Sequence, residues 1–221
     1  MAHEARRPAI AQLVVYLGAL ALLVSAASGA GNWWHAERSH ADRGTMRLSS
    51  VDIGFAQDMS AHHAQALLLA HTLPGDADRQ VRVLADRIEI AQAAEIAMMH
   101  GWLLLFDRPL TAPEPMAWMH GTDQHAAGQH HNAASMPGMA SIDEIARLGG
   151  SHGVEGEILF LQLMIRHHRG GLDMTRAAFD DPLTAEPIRK VALRMAQDQS
   201  NEIGVMTAML TVRHGAALPY P

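Results

Sequence analysis

No cysteine occurs in the 221 residues. Disulfides, thiolate nucleophiles and cysteine-type zinc sites are therefore excluded. Aromatic residues make up only 5%, which disfavours a strand-rich fold. Positive charge is sparse: Lys190 is the only lysine, and the chain carries a formal charge of -6. With no run of Lys or Arg there is no electrostatic footprint for nucleic acid, so no such partner is expected. No glycine-rich phosphate loop, G-x-S-x-G elbow or nucleophile-base-orienter set appears, so no catalytic residue is assigned. What stands out instead is 15 His and 14 Met. In the absence of thiolates, these are the side chains left to hold a soft or borderline metal.

Arg6 and Arg7 precede an uncharged stretch whose middle, Ile10 to Ala30, is 21 residues of mostly Leu, Val, Ala and small side chains. A bilayer core needs about 20 such residues. Residues 1–34 are therefore expected to form a membrane-anchoring helix, with a cytoplasmic N-terminus and Trp33 and Trp34 at the far interface. The competing expectation is a cleavable signal peptide ending near Ser28-Gly29-Ala30. Both export the rest of the chain, as a single-pass protein of the bacterial cell membrane or as a secreted or periplasmic one. A polar linker is expected at 35–48, a helical domain at 49–214 and a short tail at 215–221. His35 and His40 lie in the linker.

Within the domain, Ser49 and Ser50 offer N-caps for a helix to about His71. Pro74-Gly75-Asp76 marks a turn. A second helical pattern runs from about Ala77 to Phe106, ended by Pro109, Pro113 and Pro115. Residues 111–140 lack periodicity and hold Met116, Met119, His120, His125, His130, His131, Met136 and Met139. This segment reads as a mobile Met/His-rich loop. Ser141 to Glu144 has the pattern of a capping box. A short helix follows, ending at Gly149-Gly150. A third long helix is expected from about Val154 to Phe179, and a fourth, capped by Thr184, to about His214.

The helical patterns repeat. FAQDMSAHHAQALLLA at 55–70 aligns with FLQLMIRHHRGGLDMT at 160–175. Phe55/Phe160, Gln57/Gln162, Met59/Met164, His62/His167, His63/His168 and Leu67/Leu172 coincide. The second and fourth helices match through Gln92/Gln199, Glu95/Glu202, Ile96/Ile203, Met99/Met206 and Leu103/Leu210. Two such hairpins, each with an apolar stripe it cannot bury alone, predict an all-α four-helix bundle with pseudo-two-fold symmetry. The 111–140 loop is then the crossover between halves.

Residues three and four apart share a helix face, so Met59, His62 and His63 form one stripe and Met164, His167 and His168 its mate. Imidazole suits copper, zinc and iron, whereas thioether favours Cu(I). Copper is accordingly the expected metal, with zinc or iron not excluded. Asp58 joins the first stripe only, because its counterpart is Leu163. Glu95 and Glu202, on the partner helices, are expected either to orient a histidine through its second ring nitrogen or to ligate directly. Met99 and Met206 extend the candidate shell, as do the Met and His residues of the loop. Gly170-Gly171 is a local anomaly, since each Gly costs a helix about 1 kcal/mol relative to Ala. Close helix approach beside the histidines is one reason for the pair. His71, His100, His152 and His214 lack repeat partners and read as surface or capping residues.

Asp58-Met59 through His62-His63, Met136-Pro137-Gly138-Met139, Phe160-Leu161 through Met164-Ile165-Arg166-His167-His168, Gly171 and Met174 together resemble the DUF305 family. Gln92 through Glu95-Ile96, Met99 and Trp102-Leu103 also fits. The resemblance spans residues 50–212. It implies a ferritin-like four-helix bundle in an exported protein, with CopM-like copper binding and copper tolerance among its members. Two other functions compete with copper holding. A ferritin-like di-metal oxidoreductase needs Glu-x-x-His pairs that the helices lack. A metal-free helical stress or interaction protein would satisfy the histidines with protein groups.

Overall fold

The computed structural model describes residues 47–120 and 136–220, and among them the chain is all-helical. The expected membrane helix, the linker with His35 and His40, and His125, His130 and His131 of the loop lie outside the described residues. No helix among the described residues is long and apolar enough to cross a membrane.

Four long helices and one short one make the bundle: α1 (Ser50–Thr72), α2 (Arg79–Leu105), the short α3 (Ile142–Gly149), α4 (Gly153–Asp180) and α5 (Glu186–Val212). Helix α1 starts where a capping box closes, with Asp52 N–H donating to Ser49 Oγ at 3.0 Å and Ser49 N–H to Asp52 Oδ2 at 2.8 Å. Asp52 also accepts from Ala185 N–H through Oδ1 at 2.9 Å, which ties the start of α5 to that of α1. The box at Ser141 and Glu144 closes as the pattern predicts. Thr184 does not cap α5. The N-cap falls one residue later, at Ala185, without a side-chain cap, and Pro187 in the first turn supplies a preset φ instead.

Helix α1 packs along α2, and α4 along α5, as two hairpins, and the hairpins meet through α1 and α4. The core divides into two clusters. Phe55, Met59, Met99 and Leu103 pack with Met174, Ile188 and Met195 in one. Phe160, Met164, Met206 and Leu210 pack with Leu69, Val81 and Ile88 in the other. The second quartet is the repeat of the first, so the duplication is visible in the packing itself. Buried Glu157 and half-buried Arg213 close one end: Glu157 Oε1 accepts from Asp78 N–H at 2.7 Å, and Oε2 meets the guanidinium.

The crossover is not a free linker at its described ends. Met116 is buried and Ala117–His120 form a 3-10 turn. Trp118 stacks edge-on against Phe55 at 5.8 Å, over a notch that Gly54 leaves open. Met116 holds φ at 66°, a region non-glycine residues seldom adopt. At the other end, Gln65 brackets Ala140, accepting from its N–H at 2.6 Å and donating to its carbonyl at 2.9 Å. The Arg166 guanidinium bonds both Glu144 oxygens, at 2.9 and 2.6 Å, and holds that carboxyl down at about 2.

Candidate functional site: a buried histidine row

The stripe predicted on α1 and its mate on α4 face each other. His62, His63, His167 and His168 are all at most 1% exposed. They form a row rather than a ring. Ring centroids lie 6.3 Å apart from His63 to His62, 3.8 Å from His62 to His167 and 6.1 Å from His167 to His168. The central pair is nearly stacked, tilted by 30°.

Each imidazole is pinned through Nε2. His63 bonds Glu95 Oε2 and His168 bonds Glu202 Oε2, both at 2.7 Å. His62 bonds the Pro137 carbonyl at 3.1 Å, and His167 the His62 carbonyl at 2.9 Å. Carbonyl oxygens only accept, and a carboxylate oxygen is the natural acceptor for a ring N–H, so the proton belongs on Nε2 in every ring. All four Nδ1 atoms are buried with no hydrogen-bond partner among the described residues. A proton there would be a buried donor with nothing to bond, so each Nδ1 carries a lone pair. Burial pushes His62 down to about 3, helped by the neighbouring His63 and His168 and opposed by the Pro137 contact. Burial likewise drives His167 well below the ordinary imidazole range. Both rings are neutral at physiological pH.

Glycines make the row possible. A Cβ on Gly170 would fall inside the van der Waals radius of the Pro137 carbonyl oxygen and 2.9 Å from the Gly138 amide. The loop carbonyl that holds His62 therefore reaches α4 only over a glycine. Gly138, at φ 76°, lies equally close to the backbone of Arg166 and Gly170. Gly171 leaves room for the Gln199 amide, whose Cδ would sit 2.9 Å from an added Cβ. The glycine pair thus admits a loop to α4 at Gly170, and at Gly171 the Gln199 amide of α5, the close helix approach expected beside the histidines.

Other expected donors take up other places. Asp58 is an anchor for the crossover: Oδ2 accepts from Met116 N–H at 2.7 Å and from Trp118 Nε1–H at 2.9 Å. Desolvation raises its carboxyl above the usual range despite those bonds. Its counterpart in the repeat, Leu163, is instead buried in the second core cluster. Met59 and Met99 lie in one core cluster and Met164 and Met206 in the other, so the thioethers do not gather at one point. Met116, Met119 and Met136 pack on the first cluster, away from the row's far end, and Met139 is half-buried. His120 begins where side chains are no longer described. Among the described residues, no three imidazole or carboxylate groups converge as a ready-made metal cage. Of the unrepeated histidines, exposed His71 pairs with Glu89 at 2.9 Å and His152 lies 3.7 Å from Asp76.

A cleft beside the row lies between α2 and α5, which pack on their hairpin partners rather than on each other. Gln92, Glu95, Gln199 and Glu202 line it. The buried Gln92 Oε1 and Gln199 Nε2 lack partners. The amides recur in the sequence repeat, but only the fold shows that they flank one opening.

Fold and site together define a helical-bundle protein built on a duplicated His-His hairpin. The chain belongs to the DUF305 family: the model for that domain of unknown function matches residues 52–210. Solved structures agree. A DUF305 protein of Streptomyces coelicolor, named as an inferred secreted protein, is 35% identical with a TM-score of 0.67, covering 77% of this chain and 97% of its own. A DUF305 fragment from Deinococcus radiodurans is 30% identical with a TM-score of 0.61, covering 75% of this chain and 99% of its own. Among curated proteins, none matches the chain.

Proposed function

We propose that this protein holds a soft metal ion, copper(I) foremost, at the histidine row, and that it serves outside the cytoplasm in copper binding or buffering and so in copper tolerance. The observation that carries the reading is the set of four buried Nδ1 lone pairs without partners. A histidine ligand characteristically donates its other ring N–H to a carboxylate or carbonyl, and here all four do. Leaving four such acceptors dry and unpaired is costly, whereas a metal ion satisfies them.

Met59 with His63, and Met164 with His168, are i,i+4 pairs of buried thioether and imidazole. With no thiolate in the chain, this donor mixture suits Cu(I) better than zinc or iron. The metal, when bound, supplies a cation for the Nδ1 lone pairs. The chain's own residues do the rest: Glu95, Glu202 and the Pro137 and His62 carbonyls fix the tautomers, and burial keeps His62 and His167 unprotonated. Two hairpins joined by a long crossover have the connectivity of a ferritin-like bundle, and we read the fold so. Export, by anchor or cleaved signal at residues 1–34, fits the secreted description of the Streptomyces relative.

The test is Cu(I) titration of the full chain against bicinchoninate, beside a variant with His62, His63, His167 and His168 replaced by Ala. Loss of binding in the variant is expected. A second variant, M59L/M164L, conserves core volume. It should fold as the parent does, bind Cu(I) more weakly and leave any Zn(II) binding unchanged. Full Cu(I) binding by the histidine variant would defeat the proposal.

A further inference from the structure

The cleft between α2 and α5 has a layered arrangement. Its rim carries the exposed Arg87, Asp198 and Asn201. Its walls carry Glu95 and Glu202, whose side chains are 20% and 22% exposed. Its floor is made by Gln92 and Gln199, 2% and 3% exposed, with Oε1 of one and Nε2 of the other lacking any partner. The volume is about 390 Å³, ample for a hydrated ion.

Each wall carboxylate touches two worlds. One oxygen bonds a fully buried imidazole at 2.7 Å, while the group itself remains partly in the cleft. The Pro137 carbonyl and the docked Met136–Ala140 segment cover His62, and the two apolar clusters lie along the helices on either side. Three carboxylates face one guanidinium across the opening, so the local field favours cations.

We propose that this cleft is the port through which a soft metal cation enters and leaves the histidine row, with Glu95 and Glu202 as the relay carboxylates and the Gln92 and Gln199 amides as the last polar groups before the imidazoles. The inference rests on the reading of the row as a metal site. It adds a route and assigns work to four residues of α2 and α5. A cation drawn in by the wall carboxylates exchanges water for carboxylate oxygen, then for the amide oxygen, beside the Glu95–His63 and Glu202–His168 pairs, with no uncompensated charge along the way.

The test separates route from site. Ala91 lies on the exposed rim and Asn201 faces it from α5. Ala91→Trp fills the opening, and Asn201→Lys places a cation at it. Neither residue bears on the core. Transfer of Cu(I) from its bicinchoninate complex to the full chain is followed by stopped-flow absorbance. Loading of A91W should slow by about tenfold, and release to added bicinchoninate should slow equally, so that Kd holds within about twofold. Asn201→Lys should slow loading by about fivefold at low salt, with the difference shrinking as salt is raised. It is the deciding arm if A91W fails to fold. Folded variants that load at the parent rate would overturn the port while leaving the site intact. Absence of Cu(I) binding by the parent chain would overturn both.

Discussion

Replacing Gly170 by Ala offers the sharpest check on how the row is built. In an ordinary exposed helix the change stabilises by about 1 kcal/mol, through helix propensity and lost unfolded-chain entropy. Here the new methyl collides with the Pro137 carbonyl and crowds the Gly138 amide. These are backbone atoms and cannot swing aside, so the 136–140 segment must lift. Lifting breaks the His62–Pro137 bond at 3.1 Å and the Arg166–Met139 contact at 3.3 Å, and strains the two Gln65–Ala140 bonds. At about 1 kcal/mol net per bond, with His62 Nε2 left buried and unpaired, the loss is about 3 to 4 kcal/mol. Subtracting the propensity gain leaves a destabilisation of about 2 to 3 kcal/mol. For a domain of this size that lowers Tm by roughly 4–12 °C. Gly204→Ala is the control, since a Cβ there meets nothing within 4 Å. It should raise stability by about 1 kcal/mol. Urea unfolding by circular dichroism reads both. If G170A stabilises as G204A does, Gly170 does not admit the loop, and the account of how His62 is held is wrong.

Acid should weaken the metal-free protein in a defined window. His62 and His167 have folded values below their unfolded ones, so the unfolded chain takes up protons first. Stability is then full above about 6.5 and falls as pH drops towards the folded value, about 3 for His62. At pH 5.5 His62 alone should cost about 1.4 kcal/mol relative to pH 7.5. A urea midpoint that stays flat between those pH values would contradict the burial of neutral rings. Asp58→Leu, which copies the residue of the second repeat, should destabilise by about 2 to 3 kcal/mol, because the Met116 amide and Trp118 indole lose their acceptor. Its near-ultraviolet circular dichroism should lose the Trp118 signal, and unaltered spectra would rule out the anchor role. Glu157→Ala leaves the Arg213 guanidinium and the Asp78 amide without their shared partner, at a cost of about 3 kcal/mol measured by denaturant unfolding.

Much of this protein is written in local pattern. Helix limits followed from caps, prolines and periodicity to within a residue or two. Ser49 and Ser141 cap because Asp52 and Glu144 sit three residues on, a relation within one turn of chain. The duplication, and with it the facing of α1 and α4, was legible because repeated residues must bury repeated stripes. So was a hydrogen bond from a histidine to Glu95 and to Glu202, one of the two roles left open for them, and it falls to His63 and His168. Thr184 misled because capping depends on where the helix starts, and Pro187 together with the Asp52 contact set that start at Ala185.

Only the tertiary structure decided how those histidines are used. Sequence spacing puts two imidazoles on each stripe, but a row and a ring obey the same spacing. The row arises because Glu95 and Glu202 pull His63 and His168 towards α2 and α5, while the central rings stack. Asp58 belongs to the same stripe as Met59, yet its oxygen is claimed by a loop 58 residues away. Pro137 holds His62 across 75 residues, through a gap that exists only because Gly170 has no side chain. Composition and periodicity report what each segment can bury. Which acceptor meets which nitrogen is settled by contacts between segments far apart in the chain, and on those contacts the four free lone pairs depend.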